Sequence, residues 1–271
     1  MSERRIRVGE IELNYRLTGP KGAPVVSLNH CFSGDHRYWD HHLAAFEGFR
    51  ILRHDARGHG KSDKPAGPYT LAMMADDLRG LLDQLAIERV HLCGVSMGGM
   101  ISQTLAIAAP ERVASLALVN TTCQYDAEQI KGWRDRAALV QREGVAPLHE
   151  LLMTRWFTGD AATQRTPGYR YMEDCLHRFE PEAFAAVSAA ISDLNTTTGL
   201  AALDMPRMVI ATKDDPGVPT AMSELMARQL NVAPQWIGPA QHLASLEYPE
   251  IFNELMRDFL SQFASQSITA S

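Results

Sequence analysis

The chain has 271 residues, 45% of them hydrophobic and 21% charged, which gives length enough for a full-sized core and too much apolar content for a disordered chain. Its 26 Lys and Arg against 32 Asp and Glu leave a formal net charge of -6 with no basic cluster, so a nucleic-acid partner is excluded as an expectation because nothing would neutralise the phosphates. No segment approaches the ~20 apolar residues of a membrane span, and the opening Met1-Ser-Glu-Arg-Arg-Ile-Arg lacks the apolar stretch of a secretory signal, so the expectation is a cytoplasmic protein with no membrane partner.

In chain order, residues 10–18 place Ile11, Leu13, Tyr15 and Leu17 on one face at period two, the pattern of a half-exposed antiparallel strand near a sheet edge. Residues 25–29, 49–54, 90–93, 113–119 and 208–211 are instead almost continuous apolar runs, as in strands of a parallel sheet buried on both faces. Helical spacing occupies 71–85, 97–109, 220–230 and 249–263, so strands and helices alternate in the manner of an α/β sheet covered on both sides. Between residues 121 and 203 the alternation stops. Four helical patterns (133–141, 146–157, 169–179 and 181–194) follow one another there without a strand. An all-helical block at that place lies beyond the strands' C-terminal ends, over the crevice where such sheets bind ligands. The expected division is a core of residues 1–120 and 204–271, with a helical lid of residues 121–203. Four cysteines, Cys31, Cys93, Cys123 and Cys175, stand 62, 30 and 52 residues apart, which fits neither a metal knuckle nor a disulfide scaffold; reduced, packed thiols are expected.

The segment Cys93-Gly94-Val95-Ser96-Met97-Gly98-Gly99 joins an apolar strand directly to an apolar helix and reads G-x-S-x-G-G. A serine on so sharp a turn needs small residues two places before and after it, and Gly94 and Gly98 supply them. The turn lifts the Ser96 hydroxyl above the sheet, with helix N-terminal N–H groups beside it. Two phosphate-binding readings fail on the same letters. Ser96 occupies the second glycine position of a dinucleotide fingerprint, and Asp55 stands where a phosphate loop through Arg57-Gly58-His59-Gly60-Lys61-Ser62 needs its first glycine.

A serine nucleophile needs a general base, and the base needs an acid that fixes its tautomer. In this architecture they follow in the order acid, then histidine, after later strands. Asp215, beyond the run 208–211, is the expected acid, with its neighbour Asp214 as the alternative; His242, after a short strand at 235–237, is the expected base. The position at the end of the preceding buried strand, from which some such folds draw their acid, is Asn120 and carries no charge. His41, His42, His149 and His177 lie in helical or polar surroundings and are expected to be solvated. The N–H groups of Phe32, in the loop after 25–29, and of Met97 are the expected oxyanion donors.

Taken together, the G-x-S-x-G-G turn, Asp55-Ala-Arg-Gly-His-Gly-Lys-Ser, the Asp215-Pro segment and His242-Leu-Ala-Ser-Leu-Glu-Tyr-Pro-Glu make the chain resemble an α/β-hydrolase over nearly its whole length. Within that superfamily it is most similar to the 3-oxoadipate enol-lactonases, through Gly67-Pro-Tyr-Thr, Asp76-Asp-Leu, Cys93-Gly-Val-Ser-Met-Gly-Gly-Met, Asn120-Thr and Arg155-Trp-Phe-Thr. The resemblance implies the α/β-hydrolase fold: a mostly parallel central sheet flanked by helices, with a helical lid inserted after the sixth strand. It also implies a cofactor-free and metal-free serine hydrolase of aromatic breakdown that opens a small, carboxylate-bearing enol-lactone. His30-Cys31 departs from the family's usual Asn-Ser or His-Gly beside the oxyanion donor, a position that also lines the pocket, and Thr212 replaces a more usual glycine in a turn. An anionic substrate calls for a cation under the lid. Arg134, Arg155 and Arg178 are available, with Trp133 and Trp156 as apolar walls, and Arg155-Trp156 belongs to the family match. A carboxylesterase or a carbon–carbon bond hydrolase would use the same triad, whereas a non-catalytic small-molecule receptor on this fold would leave it inert. The sequence leaves the oligomeric state open.

Overall fold

In the computed structural model, which describes residues 3–263, the apolar runs form the interior of a single eight-stranded sheet. The chain passes through β1 (Arg4–Val8), β2 (Ile11–Thr18), β3 (Val25–Asn29), β4 (Arg50–His54), α1 (Leu71–Gln84), β5 (Val90–Val95), α2 (Met97–Ala108) and β6 (Val113–Val119). A wholly helical stretch follows: α3 (Ala127–Glu143), α4 (His149–Trp156), α5 (Gly159–Gln164), α6 (Pro167–His177), α7 (Pro181–Ser192) and α8 (Thr197–Leu200). The sheet then resumes with β7 (Arg207–Ala211), α9 (Thr220–Gln229), β8 (Gln235–Trp236), α10 (Ala244–Glu247) and α11 (Pro249–Ser261). Strand order is β1-β2-β4-β3-β5-β6-β7-β8, antiparallel through the first two pairings and parallel through the rest. This is an α/β-hydrolase fold with a helical insertion after the sixth strand, as expected.

Burial explains the pattern of letters. All six residues of β5 are buried, as are six of the seven in β6, so these strands need no polar face. A fully buried leucine such as Leu116 or Leu118 contributes roughly 2 kcal/mol relative to exposure. The outer helices bury one stripe each: α11 does so through Phe252, Met256 and Leu260, four residues apart. The Thr70 hydroxyl accepts from Met73 N–H at 3.1 Å and starts α1.

Four elements, β1, α5, α8 and α10, escaped the sequence reading, each for a physical reason. In β1 the sole buried residue is Val8; the strand exists because its backbone pairs with β2, so residues 10–18 lie second from the edge, between β1 and β4. The short helices α5, α8 and α10 are too brief to show a period. The helix expected at 133–141 begins at Ala127, where Asp126 and Gln129 form a reciprocal capping box.

One histidine expectation is corrected. His42 is buried, its Nδ1 is 2.9 Å from Asn253 Oδ1, and its ring packs 4.7 Å from that of Phe252. Burial pulls its pKa down to about 4, and does the same to His91. Both stay neutral in the folded protein while the unfolded chain takes up protons below about 6.5. The stability present above that value should therefore fall as pH drops toward 4, by about 1.4 kcal/mol per pH unit for each such group. Urea denaturation at pH 7 and pH 5 reads this directly; equal unfolding free energies at the two values would contradict it.

Candidate active site

Ser96 connects β5 to α2 with φ 54° and ψ −118°, a positive-φ conformation that non-glycine residues rarely adopt. The turn is held by Ser96 N–H donating to Val119 O at 2.9 Å and by the Thr121 hydroxyl donating to Ser96 O at 2.8 Å. Its tightness explains the glycines. A Cβ on Gly94 would collide with the Gly98 carbonyl, and one on Gly98 with the Asn29 carbonyl, so neither position tolerates a side chain.

Residues from three distant segments converge on the hydroxyl. Ser96 Oγ lies 2.8 Å from His242 Nε2, and His242 Nδ1 lies 2.7 Å from Asp215 Oδ2. With Nδ1–H donating to the carboxylate, Nε2 is free to accept the serine proton, which is the tautomer a general base requires. Asp215 is itself fully engaged: Oδ1 accepts the N–H groups of Gly217 (2.7 Å) and Val218 (2.9 Å), and Asn120 Nδ2 approaches Oδ2 at 3.3 Å. Asp214 is exposed. Asn120, the position without a charge, thus acts as a donor to the acid.

Phe32 and Ser96 line the same cavity. The peptide that carries the Phe32 N–H is clamped from its other side: Cys31 O accepts from His30 Nδ1 at 2.8 Å and from Gly34 N–H at 3.1 Å. A planar trans peptide points its N–H away from its C=O, so fixing Cys31 O fixes the Phe32 donor. His30 is buried, and its Nε2 accepts from Ala56 N–H at 3.0 Å. That bond passes the clamp to the loop beginning at Asp55. The Asp55 carboxylate accepts from Asn14 Nδ2, His36 N–H, His36 Nδ1 and Lys61 N–H at 2.7–2.8 Å, and these bonds outweigh its burial and hold it well below the usual carboxylate range. Met97 N–H is the first of α2 and has no intrahelical acceptor. The Phe32 side chain packs edge-to-face under the insertion, 5.2 Å from the Trp133 ring and 4.9 Å from that of Phe184.

The cavity measures about 650 Å³ and lies between this turn and the insertion. Trp133, Arg155 and Trp156 line it; Arg134 does not. Arg134 faces a separate cleft between α3 and α7, and the residue in the cavity is Arg136. The reason is helical geometry: residues three apart share a face, so Trp133 is joined by Arg136 while Arg134 is rotated away. Arg178 is also elsewhere, paired with Asp174 at 2.6 Å. The Arg136 guanidinium sits 4.5 Å from the Trp133 ring centroid, and its Nε is buried without a hydrogen-bond partner. Arg155 donates from Nη2 to Pro216 O at 2.5 Å. Among the described residues neither arginine has a carboxylate oxygen within 4.0 Å. Burial, and then the charge of Arg155, pulls Arg136 below the usual guanidinium value. Tyr125, which also lines the cavity, went unnoticed in the sequence; burial pushes its phenol up. Arg136 had a readable signal, its i+3 spacing from Trp133, whereas Tyr125 had none.

The family model described as "alpha/beta hydrolase fold" matches residues 24–249. The chain is 28% identical over 255 residues to 3-oxoadipate enol-lactonase 2 of Acinetobacter baylyi, covering 94% of this chain and 95% of that protein. It is 30% identical over 267 residues to a putative carbamate hydrolase, RutD, of Variovorax paradoxus, covering 95% of this chain and 99% of that one. The crystal structure of the enol-lactonase from Burkholderia xenovorans LB400 superimposes with a TM-score of 0.89 at 30% identity, covering 95% and 100% of the two chains.

Proposed function

The chain belongs to the alpha/beta hydrolase fold family, and on that premise we propose that it is a serine hydrolase that opens a small carboxylate-bearing ester or lactone through an acyl-enzyme, in the manner of the 3-oxoadipate enol-lactonases it resembles. Ser96 Oγ attacks the carbonyl carbon as His242 Nε2 takes the hydroxyl proton, and Asp215 stabilises the imidazolium that results. The oxyanion is held by the N–H groups of Phe32 and Met97, each worth roughly 3 kcal/mol in the transition state. As the intermediate collapses, the imidazolium returns its proton to the departing oxygen. A water molecule, deprotonated by His242, then attacks the acyl carbon and releases Ser96. The residues 121–203 act as a cap over this site, and the four cysteines, all buried free thiols, suit a reducing cytoplasm.

The observation that carries the anionic substrate is the pair Arg136 and Arg155, two guanidinium groups facing the cavity without carboxylate partners among the described residues. A bidentate substrate carboxylate would occupy them. Arg136→Ala is expected to raise KM for a carboxylate-bearing lactone about 10- to 100-fold, the loss of one hydrogen bond to a charged group, and to leave KM for a neutral ester of similar size nearly unchanged. A panel of 3-oxoadipate enol-lactone, neutral p-nitrophenyl esters and a simple carbamate, assayed with both proteins, tests it. Equal losses on charged and neutral substrates would remove the anionic reading and leave the esterase one.

A further inference from the structure

The loop that carries the base is suspended from the helical insertion as well as from the sheet. His242 N–H donates to Arg155 O at 3.3 Å and Leu243 N–H to Trp156 O at 3.0 Å, so the backbone on which the imidazole hangs is bonded to the C-terminal turn of α4. One side chain braces this connection on both flanks. Glu247, at the end of α10, accepts Gln241 N–H through Oε1 at 2.9 Å. Its Oε2 accepts the N–H of Thr158 at 2.9 Å and the hydroxyl of Thr158 at 2.5 Å. Thr158 is also the cap of α5, receiving Ala161 N–H at 3.4 Å. On the sheet side, the Thr212 hydroxyl donates to Ala240 O at 2.8 Å, two residues before the base.

We infer that Glu247 is a positioning residue for His242: its carboxylate locks the base's loop to the α4–α5 corner and so holds the imidazole in reach of Ser96. The inference rests on the triad reading above and adds to it a residue that touches neither the substrate nor the imidazole. The corner it grips matters for a second reason, because the side chains of Arg155 and Trp156 line the cavity while their carbonyls carry the His242 and Leu243 N–H groups. Substrate contacts and base placement therefore share one short piece of backbone. A carboxylate is needed because three donors converge from two sides and only a group that accepts on both oxygens serves them all. An amide of the same shape presents an NH2 to one of those sides, where it meets another donor.

Glu247→Gln tests this at constant volume. A small fluorophosphonate, too short to reach α4, reports the reactivity of Ser96 with His242 independently of substrate binding. The variant is expected to lose phosphonylation rate and kcat in parallel, about 10- to 100-fold as for a displaced catalytic group, with KM for the carboxylate-bearing lactone rising by less than kcat falls. The low-field His242 Nδ1 proton resonance should shift or broaden with it. Thr158→Val, a milder change that removes one of the three donors, should move all readouts in the same direction, and Thr158→Ser, which keeps the hydroxyl, should restore them. Wild-type phosphonylation and kcat in Glu247→Gln would overturn the inference. So would a loss confined to KM with the imidazole resonance unmoved, which would make Glu247 a shaper of the cavity. Absence of labelling at Ser96 in the wild-type protein would overturn the triad reading itself and the inference with it, a result distinct from a wild type and a variant that label equally.

Discussion

Ser96→Ala is expected to lower kcat on every ester and lactone the wild type accepts by ten-thousand-fold or more, on the order of what removal of a triad nucleophile costs. The magnitude follows from what the hydroxyl alone supplies. Its oxygen forms the bond to the acyl carbon, and its 2.8 Å contact with His242 Nε2 is the route by which the proton leaves. The backbone turn should survive, because its hydrogen bonds to Val119 and Thr121 are made by main-chain atoms of residue 96. Substrate should still bind with a similar Kd, since the cavity walls are untouched. Adding His242→Ala to Ser96→Ala should cost little more than the single change, because a base without its nucleophile has nothing to deprotonate. Steady-state kinetics with a burst-phase measurement read all of this. A Ser96→Ala protein retaining full turnover would end the serine-hydrolase account.

Asp215→Asn should reduce kcat about ten-thousand-fold with little change in fold, and the hydrogen bonds say why. Oδ1 accepts two loop N–H groups, from Gly217 and Val218. An asparagine keeps its carbonyl there, which turns its NH2 toward His242 Nδ1. That nitrogen must then accept, the proton moves to Nε2, and the imidazole offers Ser96 a donor where an acceptor is needed. Asp214→Asn is the control: Asp214 is exposed and should retain nearly wild-type kcat. Reversal of the two effects would assign the acid to Asp214.

How much of this was legible depends on the range over which each physical constraint acts. The G-x-S-x-G-G turn is a local demand, since Gly94, Ser96 and Gly98 lie within five residues, and local sterics can be read from letters. The inner strands were legible for a similar reason: burial on both faces favours apolar side chains, and the sequence shows that as almost continuous apolar runs, broken only by buried polar residues such as Arg53 and His91. Edge strand β1 was not legible, because backbone pairing with β2 holds a segment whose own side chains are mostly exposed. His42 was misread for the opposite reason. Asp40 and His41 precede it and give the segment a polar look, yet Asn253 and Phe252 reach it from α11, more than two hundred residues away.

The candidate site divides along the same line. By itself the sequence determined the tight turn that presents Ser96, the candidate pair Asp215 and His242 in that chain order, and the alternation that makes a parallel sheet, because each is written in spacing along the chain. Tertiary structure alone decided that Asp215 rather than Asp214 meets the imidazole, that Arg136 rather than Arg134 faces the cavity, and that Glu247 braces the base's loop. Those outcomes depend on which way a side chain points once α3, the insertion corner and the last loops have packed together. Direction at that scale is fixed by contacts between segments far apart in the chain, and a linear order of residues does not carry it.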